Sequence, residues 1–239
     1  MTVGVILAAG LGSRLRPLTD DRPKCLMSLG DETILGRAVR QLAALGVRQL
    51  VVATGYEAAR VREALRDAPM AVSFAHCADY ASTQNSVSLL RALEAAPPGD
   101  FIKLDGDLVL PSALLAMALE GERSTVLLDD RAPPREEAMK ALCEGDRALR
   151  FGKGLDPARC RGESLGVERF VAADRDGVLA ALREAEAAGE TGLYYEEVYD
   201  RAIAGGVALY ARSIGDARWT EVDDHDDLGR ARALVAGGL

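Results

Sequence analysis

LAAGLGSRLRPLTDDRPK, residues 7–24, closes an apolar run, turns glycine-rich, and then carries Arg14, Pro17, Pro23 and Lys24. The run it closes, VGVILAA (3–9), is apolar throughout, the pattern of a strand buried on both faces of a parallel sheet. In such sheets the turn after the strand's carboxyl end is where ligands bind. Gly10 and Gly12 let a ligand approach the backbone closely, and exposed N–H groups in the turn favour an anion. Arg14 offers a planar fork and Lys24 a compact charge. Pro17 and Pro23 stiffen the excursion between them. Together they suit a polyphosphate with a second phosphate nearby. A dinucleotide fingerprint would need glycine where Leu15 stands, and a Walker A loop would need a Gly-Lys pair that is absent here.

Outward from this loop, apolar runs alternate with helical periodicity. The pattern predicts strands at 3–9, 49–55, 71–77, 101–110 and 124–130, and helices at 34–46, 57–65, 85–96 and 111–121. Beyond about residue 130 the pattern changes. Two strands are expected within 137–153 around Glu144–Gly145–Asp146, and a third at 164–172. A helix at 174–189, capped by Asp174 and stopped by Gly189, and another at 194–206 follow. Strands at 207–214 and 219–223 precede a last helix at 226–237. The fold class is α/β, a mostly parallel sheet flanked by helices, with a mixed, β-rich second half covering the cleft.

The 239 residues suit one α/β domain, and the net charge of −8 argues against a sequence-independent nucleic-acid binder. Four scattered cysteines without a C-x-x-C predict neither zinc nor a disulfide framework. VGVILAA is too short for a signal-peptide core or a membrane span, so a cytoplasmic chain without a membrane partner is expected.

The fixed positions of residues 10–24 follow G-x-G-[ST]-R-x-x-P-L-T-x-x-x-P-K. They resemble the signature of nucleotidyltransferases that activate sugar phosphates and related phosphate esters with an NTP. The resemblance implies a Rossmann-like sheet and one nucleotidyltransferase domain over 1–239, with a nucleotide-binding half (1–130) and an acceptor-binding half (131–239). It implies that Leu7, Ala8, Ala9, Gly10, Gly12 and Ser13 cradle the triphosphate, with Arg14 and Lys24 as catalytic residues.

Two acidic segments sharpen it. In FIKLDGDLVL, Asp105 and Asp107 fall at a strand's carboxyl end and, by period 2, on one face. In WTEVDDHDDL, Asp224, Asp226 and Asp227 suit the start of a helix, while Glu221 and Asp223 share the strand side, with Asp223 the better ligand candidate. The chain is similar to short enzymes that make CDP-activated phosphocholine. The similarity implies Mg²⁺ on Asp107 and Asp223, with Asp105 on the nucleotide side. Asn85 and Ser86, at the start of the helix at 85–96, are helix caps or readers of the base. Lys140, Lys153, Glu163, Tyr195 and Glu196 fall in segments that resemble the acceptor side of that family.

The function these readings imply is transfer of a cytidylyl group from CTP to a small phosphate or phosphonate, with pyrophosphate leaving. The alternatives are a sugar-1-phosphate nucleotidyltransferase using UTP, dTTP or GTP, and a non-catalytic nucleotide sensor. Few aromatics are available to cage a quaternary ammonium, which points away from choline itself.

Overall fold

The computed structural model describes residues 2–239. Strand β1 (Val3–Ala8) is buried at every position. Val3, Val5 and Leu7 enter the core on one face of the sheet, and Ile6 and Ala8 enter the core on the other. This two-sided burial is what an uninterrupted apolar run encodes.

β1 pairs in parallel with β2 (Gln49–Thr54) and β4 (Phe101–Asp105), and β2 with β3 (Ala71–His76). Beyond β4 the sheet becomes mixed. β9 (Gly162–Phe170) runs antiparallel between β4 and β6 (Ser124–Asp129). β10 (Leu209–Ser213) follows β6 in parallel, and the hairpin of β7 (Lys140–Glu144) and β8 (Arg147–Gly152) closes the far side. The hairpin turn falls where the sequence predicts it. Strands from before and after residue 130 therefore interleave in one nine-stranded sheet.

Helices cover both faces, as a sheet with two apolar faces requires. On one face, α1 (Ile34–Ala44), α2 (Ala58–Ala64) and α4 (Ser112–Leu119) bring Leu35, Val39, Val61 and Leu114 against Ile6, Val52 and Ile102. On the other, α3 (Asn85–Ala95), α5 (Ala172–Ala187) and α6 (Tyr195–Ala204) bring Leu89, Val178, Leu182 and Val198 against Val5, Val51 and Phe101. No helix among the described residues is long and apolar enough to cross a membrane.

Two details depart from the sequence reading. The expected strand at 101–110 breaks after Asp105. Gly106 lies against the end of β1, its N–H donating to the Leu7 carbonyl at 2.9 Å. A Cβ there would stand 2.5 Å from that oxygen, so only glycine makes this approach. The chain then leaves the main sheet as β5 (Leu108–Val109) and pairs with β11 (Thr220–Glu221) in a two-residue antiparallel ladder. Asp174 does not cap α5, which begins at Ala172; its carboxylate instead accepts from the Ser124 hydroxyl.

After β11 comes α7 (His225–Ala236), entered through a reciprocal capping box of Asp224 and Asp227. Leu228 and Ala231 of α7 join Leu15, Met27, Val109 and Val222 in a small separate core beneath the glycine loop. This core anchors the loop to the two-residue ladder.

Candidate active site

Two adjoining cavities open beyond the carboxyl end of β1. The first, about 290 Å³, is lined by Leu7, Ala8, Ala9, Gly10, Gly12 and Lys24, by Tyr80, Gln84 and Asn85, and by Asp105, Asp107 and Glu221. The second, about 590 Å³, shares Asn85, Asp105 and Glu221 with it and adds Arg14, Arg135, Lys153, Glu163, Tyr194, Glu196 and Asp223. The glycine loop thus lines the first cavity, and Arg135, Lys153, Glu163, Tyr194 and Glu196 line the second.

Lys24 stands where the cavities meet. Its Nζ lies 2.6 Å from Asp107 Oδ2 and 2.8 Å from Asp223 Oδ1. Burial works against the ammonium, but the two carboxylates outweigh it and raise its pKa. Arg14, on the exposed side, places Nη2 2.8 Å from Asp223 Oδ2. Burial opposes the Asp223 charge as well, yet Lys24 and Arg14 together hold its pKa below the usual carboxylate range.

Glu221, which the sequence reading ranked below Asp223, joins the site. Pairing of β11 with β5 sets Glu221 opposite Leu108, and the Val222 N–H donates to the Asp107 carbonyl at 3.0 Å. Carboxylate oxygens of Asp107, Glu221 and Asp223 then lie within 4.8 Å of one another. The cleft walls, and then the like charges of Asp107 and Asp223, push Glu221 up to about 8, although its side chain remains open to water.

A hard divalent cation fits this trio. Magnesium takes carboxylate oxygens, usually one or two together with substrate phosphates. Asp107 Oδ1 is buried with no hydrogen-bond partner, an oxygen left free for such a ligand.

Asp105 lines the first cavity with Asp107, but β4 ends at Asp105 and its carboxylate makes different contacts. Its Oδ1 lies 3.2 Å from Lys103 Nζ, and its Oδ2 accepts from the Tyr195 hydroxyl at 2.6 Å. Gly166 (φ +77°) presses so close that an added Cβ would sit 2.2 Å from Asp105 Oδ2. Lys103, wholly buried, also pairs with Glu168 at 2.9 Å and lies 3.5 Å from the centre of the Tyr195 ring.

This network holds more carboxyls than cations. Burial, reinforced by Asp105 and only partly relieved by Lys103, pushes Glu168 up to about 7 and Glu196 up to about 8. An unfolded glutamate ionises near ~4.3, so between these values the folded chain holds protons that the unfolded chain has lost. Stability from this source is therefore complete at low pH and is lost as pH rises through the raised values. The melting temperature, referred to a Glu168→Gln variant, is expected to fall between about pH 5 and about pH 8. A level or rising difference across that range would refute it.

Several expected site residues lie elsewhere. Ser13 is exposed in the 3-10 turn Ser13–Leu15 and lines neither cavity. Ser86 is buried, donating to the Leu193 carbonyl at 2.7 Å, so it neither caps α3 nor reaches a base. Lys140 is wholly buried, and its ammonium donates to the carbonyls of Glu136, Ala138 and Lys153, out of reach of an acceptor phosphate. Tyr195 has no exposed surface and forms the floor beneath the second cavity. Lys153 and Glu163 do face that cavity. Lys153 Nζ lies over the Tyr194 ring at 4.3 Å, and Glu163 pairs with Arg135 at 2.9 Å. Arg135 carried no sequence signal.

Comparison with known proteins bears on this arrangement. The chain is 32% identical to a CMP-5'-(3-aminopropyl)phosphonate synthase of Streptomyces rubellomurinus, over 95% of this chain and 38% of that protein. It is 29% identical to a bifunctional IPC transferase and DIPP synthase of Rubrobacter xylanophilus, over 97% of this chain and 51% of that protein. The chain thus spans about half or less of the length of these relatives. In fold it is similar to the CTP:phosphocholine cytidylyltransferase of Streptococcus pneumoniae, with a TM-score of 0.76 and 20% identity over 98% of this chain and 100% of that one. Residues 4–144 match the family model for the MobA-like NTP transferase domain. That match takes in the glycine loop, Lys24 and Asp107 and extends over more than half of the chain, so the protein belongs to the MobA-like NTP transferase family.

Proposed function

We propose that this chain is a magnesium-dependent cytidylyltransferase that joins CTP to a small phosphonate or phosphate bearing a cationic head group. The observation that carries the reading is Lys24, held between Asp107 and Asp223 where the two cavities meet. The glycine-loop cavity receives the triphosphate, and the second cavity receives the acceptor. The division of labour between residues 1–130 and 131–239 belongs to this proposal.

An acceptor oxygen attacks the α-phosphorus of CTP in line. A new P–O bond forms, the bond to the β-phosphate bridge breaks, and pyrophosphate leaves. A phosphonate or phosphate oxygen is already ionised at neutral pH, so no general base is required. The barrier lies in bringing two anions together. Arg14 and Lys24 offset that repulsion and hold the reacting groups in line. When bound, a magnesium ion on Asp107, Asp223 and Glu221 supplies further charge stabilisation to the phosphates.

The acceptor cavity supports an amine rather than a quaternary ammonium. Glu196 is about nine-tenths buried, lines the cavity, and has no ion pair among the described residues. Burial keeps its carboxyl largely protonated near neutral pH, and a ligand's cation would favour the charged form. The Tyr194 ring is already covered by Lys153, and Tyr195 lies beneath the floor, so no aromatic cage is open. The likeness to the aminopropylphosphonate relative agrees with this.

The test is pyrophosphate release with Mg²⁺, crossing CTP, UTP, GTP and dTTP with 2-aminoethylphosphonate, phosphocholine, inositol phosphate and glucose 1-phosphate. Release with CTP and the aminophosphonate is expected. Release only with glucose 1-phosphate and another NTP would overturn the cytidylyl reading. Nucleotide binding without release from any pair would favour a sensor.

A further inference from the structure

The segment that leads into α6 is stitched to the start of α3. The Gln84 N–H donates to the Thr191 carbonyl at 2.8 Å, and the Ser86 hydroxyl to the Leu193 carbonyl at 2.7 Å. The Tyr195 N–H donates to Asn85 Oδ1 at 3.0 Å, and its hydroxyl to Asp105 Oδ2 at 2.6 Å. Asn85 and Asp105 line both cavities. Ser86 is only 4% exposed and lines neither. Glu196, which faces the acceptor cavity, is the next residue after Tyr195.

These bonds form a seam. On one side is the wall of the nucleotide cavity, and on the other is the segment that aims Glu196. Residues 190–194 contribute to no helix or strand of their own; local bonds join them to α5 and α6, and the seam joins them to the start of α3. A carbonyl left unpaired there costs the chain a buried hydrogen bond.

We propose that Ser86 and Tyr195 are positioning residues for the acceptor: the seam holds the start of α6 in register with the nucleotide wall, so that filling the nucleotide cavity orders the acceptor cavity. The proposal rests on the nucleotidyl-transfer reading above. Its physical basis is shared ordering. A nucleotide seated against Gln84 and Asn85 stiffens the same bonds that fix residues 191–195, and the acceptor then meets a start of α6 that is already ordered. It departs from the sequence reading, in which Ser86 is a helix cap or a reader of the base.

The test uses the whole chain and two variants from opposite sides of the seam, Ser86→Ala and Tyr195→Phe. Hydrogen exchange of the Tyr195–Val198 amides is followed with and without CTP and Mg²⁺, and calorimetry gives the CTP Kd. In wild type, CTP is expected to slow exchange at these amides. Either variant should lose most of that slowing while the CTP Kd stays within about twofold, and the KM for 2-aminoethylphosphonate should rise about tenfold with little change in kcat, the scale of one buried hydrogen bond. If CTP binds to wild type without slowing exchange at α6, the proposal falls and the nucleotidyl-transfer reading stands. If Ser86→Ala weakens CTP binding and leaves the acceptor KM alone, Ser86 is a nucleotide contact and the proposal falls. A wild-type chain that binds no NTP overturns the nucleotidyl-transfer reading and the proposal with it.

Discussion

Lys24→Ala is expected to lower turnover at least ~100-fold, close to 3 kcal/mol of barrier. In the proposed reaction two anionic groups come together, and Lys24 is the cation fixed at their meeting point. Its Nζ is held by two carboxylates at 2.6 and 2.8 Å, and its side chain is only 18% exposed. Arg14 cannot take its place, because its side chain is 68% exposed and reaches only Asp223. The variant also leaves Asp107, Glu221 and Asp223 repelling one another, so some loss of melting temperature accompanies the loss of rate. Steady-state pyrophosphate release at saturating substrates separates the two effects. A lower melting temperature with normal specific activity would make Lys24 a structural residue.

The second large effect is expected from Asp107→Ala, again at least ~100-fold in turnover. Asp107 gives one oxygen to Lys24, and its other oxygen is buried without a partner. Removing the carboxylate takes away the member of the acidic trio set deepest in the nucleotide cavity. Lys24 keeps Asp223, so the fold is expected to persist. Manganese binding followed by electron paramagnetic resonance gives a readout independent of turnover, and the affinity should fall in parallel with the rate. Near-wild-type rates with Mg²⁺ would remove Asp107 from the metal seat.

The positions legible in the sequence were those whose chemistry is local. The glycine loop, Arg14 and Lys24 announce themselves through spacing within one short stretch, and the strand at 3–9 through an unbroken apolar run. The capping box of Asp224 and Asp227 is likewise written within four residues. What escaped depends on contacts between distant segments. The break after Asp105 is set by Gly106 meeting the end of β1, and no periodicity reports that approach. Glu221 joins Asp107 only because a two-residue strand pairs with β5. Ser86 and Lys140 have side chains suited to a ligand, but their partners are backbone carbonyls supplied by other segments. A polar residue near a motif reads alike in sequence whether it faces a substrate or secures a loop.

Lys24 and Asp223 are 199 residues apart, and the ladder of β5 with β11 is what brings the late segment to the early one. Chain synthesis therefore passes through a long interval in which Lys24 and Asp107 exist while Glu221 and Asp223 do not yet. A nascent chain at that stage has the glycine loop, but neither the Val222, Leu228 and Ala231 side chains that complete the core beneath it nor the full charge cluster. The reactive centre is among the last things to be assembled, and a chain whose translation halts before β11 lacks both the full charge cluster and the core that anchors the glycine loop.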